Sequence, residues 1–136
     1  MRYVSTRGEA PELTFADVLL TGLARDGGLY VPARWPEFST RELRALRGLS
    51  YEDVAFAVMS RFTGDVLPAQ AFRKMIGEAY GSFGHAAVAP LKQLDDNHFL
   101  LELFHGPTLA FKDVAMQLLA RLMDWALAMG NRRATI

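Results

Sequence analysis

In the first 53 residues, three hydroxyl side chains that stand three positions ahead of an acidic one open onto apolar residues at helical spacing. The pairs are Thr14 with Asp17, Ser39 with Glu42 and Ser50 with Asp53. A hydroxyl at that spacing accepts from an otherwise orphaned amide in a first helical turn, so each pair predicts a helix start. The first helix carries Phe15, Val18, Leu19 and Leu23 and stops near Gly22. The second is short and ends near Gly48. The third repeats Tyr51, Val54, Ala55, Val58, Met59 and Phe62 at the three-and-four spacing of one buried face, with Gly64 beyond it. Pro68 suits a first helical position, and Phe72, Met75, Ile76 and Ala79 follow as a further stripe closed by Gly81. Between the first two helices, Asp26-Gly27-Gly28 forces a turn and Leu29-Tyr30-Val31 runs extended into Pro32. Residues 1–80 thus read as a mainly helical unit.

Composition narrows the function classes. Fifteen basic residues balance fifteen acidic ones, which removes the broad positive field that draws a protein to nucleic acid. Cysteine is absent, and with it a disulfide framework, a thiolate metal site and a cysteine nucleophile. His85 and His98 lack the spacing of a metal site. No stretch approaches the roughly 20 apolar residues that span a bilayer, so no membrane is expected and a cytoplasmic location is.

The pattern changes at Gly81-Ser82-Phe83-Gly84, which reads as a linker. Residues 88–94 and 98–104 flank the turn sequence Asp95-Asp96-Asn97 and predict a hairpin. A long helix then places Ala115, Leu118, Leu119, Leu122, Ala126 and Met129 on one face, and Ala134-Thr135-Ile136 begins something strand-like. Strand, loop, helix and the start of a strand make most of one βαβ unit, so residues 81–136 read as the opening of an α/β domain.

The loop from Phe104 to Asp113, FHGPTLAFKD, joins that hairpin to the long helix, a place where α/β scaffolds carry catalytic groups. Lys112 lies in it beside Ala110 and Phe111. Apolar neighbours would disfavour the ammonium form and free a nucleophilic amine. Read from the residues alone, a solvated lysine in a first helical turn is the better reading.

FHGPTLAFKD resembles the cofactor-lysine motif of the threonine synthases, fold-type II enzymes that use pyridoxal phosphate. Tyr3-Val4-Ser5-Thr6-Arg7-Gly8 and Asp26-Gly27-Gly28-Leu29-Tyr30-Val31-Pro32 resemble the family's amino-terminal domain. The resemblance implies an α/β parent enzyme, pyridoxal phosphate held by Lys112 as a Schiff base, and conversion of O-phospho-L-homoserine and water into L-threonine and phosphate. The lysine, once displaced, would shuttle protons between substrate carbons. Asp113 would cap the following helix or lie near the cofactor ring. His105 would contact the cofactor or brace the turn at Gly106-Pro107, and Thr108 is a candidate for substrate on the same terms. Ser5, Thr6 and Arg7 would bind the substrate phosphate through hydroxyls and a guanidinium, although an ordinary surface arginine is an equal reading.

A fold-type II site also needs a glycine-rich loop for the cofactor phosphate and a group facing the pyridine nitrogen, and the sequence shows neither. The chain therefore reads as an amino-terminal fragment, expected to make no threonine alone and to bind the cofactor weakly. Self-association through the uncovered stripe of the long helix is expected. Two other readings remain, a serine or threonine dehydratase-like lyase and a non-catalytic helical interaction module.

Overall fold

A computed structural model describes residues 1–134. Ten elements run in the order β1 (Arg2–Ser5), β2 (Leu13–Thr14), α1 (Phe15–Thr21), β3 (Tyr30–Pro32), α2 (Thr40–Ala45), α3 (Tyr51–Thr63), α4 (Ala69–Tyr80), β4 (Leu91–Gln93), β5 (Phe99–Leu101) and α5 (Asp113–Met129), with a short 3-10 turn at Gly64–Val66. The expected helix starts are present. Thr14, Ser39 and Ser50 each accept the backbone N–H three residues on. At Ser39 the box closes, because Glu42 also reaches back to the cap backbone, and these bonds with Arg61 pull its carboxyl down to about 2. Pro68 stands one position earlier than expected, at the N-cap rather than inside the helix.

The first 80 residues carry α1 to α4 and, beside them, a small three-stranded antiparallel sheet β2-β1-β3 that the helical pattern leaves out. β1 sits at its centre, with Tyr3 opposite Leu13 on one side and Pro32 on the other. Tyr3 and Ser5 are buried while Arg2 points to water, the alternation a strand requires. The Tyr3 hydroxyl donates to the Phe62 carbonyl at 2.7 Å, tying the sheet to the end of α3.

One core joins both halves. Phe72, Ile76, Ala79 and Tyr80 from α4 meet Ala55 of α3, Val88 after α4, and Leu118 and Leu122 of α5. The Tyr80 hydroxyl donates to the Val114 carbonyl at 3.1 Å, and burial beside Tyr51 pushes its pKa well up. α5 buries Leu118, Leu122 and Ala126, while Ala115 and Met129 of the expected stripe face solvent. Residues 81–84 are not a free linker. Phe83 packs on the core, Ser82 donates to Ala79, and Gly84 donates to the His105 carbonyl at 2.8 Å.

The hairpin is shorter than its sequence pattern. Val88 leaves it for the core, 1% exposed at a φ of 57°, a strained valine held by complete burial. β5 stops at Leu101, and both strands are exposed throughout. The strand expected at Ala134-Thr135-Ile136 lies outside the described residues beyond Ala134.

Candidate functional site

Residues 102–112 form the loop into α5, and hydrogen bonds rather than apolar burial shape it. Its end is a tight sequence of turns: Leu109 N donates to Gly106 O, Asp113 N to Ala110 O and Val114 N to Phe111 O. These bonds use the amides at the N-terminus of α5, which elsewhere would face an anion. Lys112 is the N-cap, with no side-chain cap bond. Among the described residues its amine makes no hydrogen bond or ion pair.

Lys112 is exposed, and so are its apolar neighbours Leu109, 72%, and Phe111, 65%. The dry setting expected for the amine is therefore not supplied by the loop. Lys112 instead lies at the rim of an open apolar depression of about 730 Å³ walled by Tyr51, Met59, Tyr80, Phe111, Leu118 and Leu122.

Asp113 does not cap α5. It is the first helical residue, 4% exposed, and its carboxylate turns back into the loop. Oδ2 accepts both the backbone N–H and the hydroxyl of Thr108 at 2.8 Å, and Oδ1 accepts the Gln117 amide at 3.4 Å. Burial alone would raise its pKa, but the bonds from Thr108 and Gln117 outweigh that and hold it below the usual carboxylate value. The Thr108 hydroxyl is thereby engaged inside the loop. His105 Nε2 lies 2.7 Å from Glu102 Oε2, and its ring centroid is 5.1 Å from that of His85. Glu102 went unnoticed in the sequence, because a carboxylate three residues ahead of a histidine in an irregular loop carries no signature.

The other candidates meet around an aspartate that sequence reasoning read only as a turn residue. Ser5 is buried and its hydroxyl donates to Asp26 Oδ1 at 2.8 Å. Asp26 also accepts Gly28 N at 2.9 Å and Glu9 N at 3.0 Å, and these bonds, that from Gly28 foremost, lower its pKa. Thr6 Oγ1 accepts Leu29 N at 3.0 Å, and Arg7 Nη1 donates to the Asp26 carbonyl at 2.8 Å. The two amino-terminal motifs therefore lock each other. Ser5 and Thr6 are used by the fold, while Arg7 is exposed with guanidinium N–H groups to spare. Among the described residues no hydrogen bond joins this cluster to the Lys112 loop, and no group of three acidic, histidine or cysteine side chains is arranged to hold a metal.

Comparison with solved structures defines the class first. The mixed helix-and-sheet fold matches the X-ray structure of a pyridoxal-phosphate-bound threonine synthase from Brucella melitensis with a TM-score of 0.95 and 64% identity, over 98% of this chain and 29% of that one. The threonine synthase from yeast matches at TM-score 0.88 and 36% identity, over 96% of this chain and 27% of that one. A family model described as threonine synthase N terminus covers residues 2–80. The threonine synthase of Pseudomonas aeruginosa is 55% identical over all 136 residues, which span 29% of its length. The chain belongs to the threonine synthase family.

Proposed function

We propose that this chain contributes the cofactor-attaching lysine, Lys112, to an enzyme that converts O-phospho-L-homoserine and water into L-threonine and phosphate. The observation that carries the reading is the unpartnered amine of Lys112 at the rim of an apolar wall, on a loop fixed by buried hydrogen bonds. The residues present fit pyridoxal phosphate at that one point of attachment. When bound, the cofactor withdraws electrons from the bonds at the substrate's α-carbon. Lys112 Nζ attaches it, and once released carries protons between substrate carbons. Tyr51, Tyr80 and Phe111 line the wall that would shield one side of the ring from water.

Of the candidates for the substrate phosphate, Arg7 retains free donors, and we assign it that contact ahead of Ser5, Thr6 and Thr108. His105 and Asp113 act on the shape of the loop rather than on the cofactor. The amino-terminal unit is placed at residues 1–80 and the opening of the catalytic α/β domain at 81–136, with α5 docked on the first unit through Leu118 and Leu122. Among the described residues no helix is long and apolar enough to cross a membrane. A cytoplasmic location completes the proposal, together with self-association of the isolated chain, which falls to the exposed hairpin residues Leu91, Leu94 and Phe99 because Leu118, Leu122 and Ala126 of the expected α5 stripe are already buried.

A direct test grafts this chain in place of the matching segment of the Pseudomonas aeruginosa enzyme and measures phosphate release from O-phospho-L-homoserine. The graft is expected to be active and its Lys112→Ala form inactive. Activity surviving Lys112→Ala would refute the assignment.

A further inference from the structure

Leu109 occupies the left-handed region at a φ of 61° with 72% of its surface in water. A bulky residue adopts that backbone only when its surroundings impose it, and here burial imposes nothing. Val88 shows the contrast, since it is equally left-handed but sealed in the core. The constraint on Leu109 comes from its neighbours in the chain. On one side, Thr108 gives both its N–H and its hydroxyl to Asp113 Oδ2. On the other, Ala110 accepts the N–H of Asp113 at 3.0 Å. Gly106 completes the arrangement, because a Cβ there would strike the Asp113 side chain. Gln117, one turn into α5, holds the second carboxylate oxygen.

Lys112 lies inside this closed circuit. Its amine has no polar partner among the described residues, so what the fold fixes is the backbone from which the flexible side chain starts, not the amine itself. That backbone is pinned by the helix bonds from Ala115 N and Met116 N to the Lys112 carbonyl and by the grip of Asp113 on Thr108. We infer that Asp113, working through Thr108 and seated against Gly106, is a positioning residue that fixes the backbone from which the Lys112 side chain projects beside the apolar wall. The inference rests on the reading of Lys112 as the attachment lysine. It assigns Asp113 a part in placing that lysine without touching the cofactor.

The sequence supplies an internal control, because Lys74 and Lys92 are the other lysines and both are exposed. The 136-residue chain is incubated with pyridoxal phosphate, trapped with borohydride and mapped by mass spectrometry, giving the share of label on each lysine. Wild type is expected to favour Lys112 several-fold over the other two. Thr108→Val, which keeps shape and loses the hydroxyl, and Asp113→Asn, which loses the charge, should bring the three lysines to near parity. Thr108→Ser should restore the preference. Circular dichroism and thermal melting establish which variants keep the wild-type fold. A folded Thr108→Val chain that still prefers Lys112 overturns the positioning role and leaves Lys112 as the attachment site. Even labelling in wild type overturns the inference, since no preference then exists for the circuit to set, while the reading of Lys112 itself is decided by the graft. If neither variant folds, the circuit serves stability and the positioning role is overturned.

Discussion

Asp26 and Asp113 are both aspartates whose carboxylates gather backbone and side-chain donors beside a glycine that leaves no room for a Cβ. Asp26 draws Ser5, Glu9 and Gly28 into one knot, joining β1 to the turn before β3. Asp113 draws in Thr108 and Gln117, groups of a single loop and the helix that follows it. The first knot is backed by a sheet and by the buried Tyr3, and every candidate around it except Arg7 has its side-chain donors or acceptors used. The second is surrounded by exposed Leu109, Phe111 and Lys112. The same chemistry therefore does two jobs. Where the knot joins distant segments it secures the fold, and where it closes a local loop it fixes the backbone that carries an exposed lysine.

Lys112→Ala gives the largest expected effect and the sharpest contrast. Borohydride-trapped label at this position should vanish while Tm stays at the wild-type value, because the side chain is exposed and unbonded. Gly28→Ala should do the reverse. A Cβ there meets the Ser5 hydroxyl, so overpacking should cost about 1–3 kcal/mol in a denaturant melt with lysine selectivity unchanged. Gly106→Ala puts a Cβ against the buried Asp113 side chain and should cost about as much as Gly28→Ala, about 1–3 kcal/mol, but should in addition erase the preference for Lys112. Equal selectivity in the two glycine variants would dissolve the distinction between the knots.

Acid should act on both knots in the same direction and more mildly. Each aspartate is held below its ordinary value, so each binds its proton more weakly folded than unfolded. The stability they contribute is complete above the unfolded aspartate value of about 3.9 and is lost as the pH falls from there through the lowered folded values. Melting temperatures measured downward from pH 6 should fall less steeply in Asp26→Asn than in wild type. A steeper fall in Asp26→Asn would contradict the hydrogen bonding described for its carboxylate.

The sequence disclosed what is local and concealed what is paired at a distance. Helix starts at Thr14, Ser39 and Ser50 were legible because cap and amide lie three residues apart. β1 was not, because four residues become a strand only against Leu13 and Tyr30 to Pro32, and nothing inside Arg2–Ser5 announces those partners. The Lys112 loop stands out by its motif, but the exposure of the lysine does not, since adjacency to Phe111 says nothing about where Phe111 points. Asp113 was read as a cap because Asp favours helix starts, and the five-residue step back to Thr108 matches no recurrent pattern. Asp26 was read as a turn former for the same reason, with Ser5 too far away in sequence to suggest a partner.

The central place of β1 bears on the order in which the molecule assembles during synthesis. Arg2–Ser5 is made before β3, and Val4 has no strand to bond on that side until Val31 has emerged. α3 and α4, joined by a short connection and packed through Phe56 and Phe72, close a far smaller loop and are expected to settle early once made. Ser5-Thr6-Arg7 would then reach its native form only when the Asp26 turn folds over it, so the amino-terminal end of the chain is expected to be among the last parts of its unit to become protected from proteases.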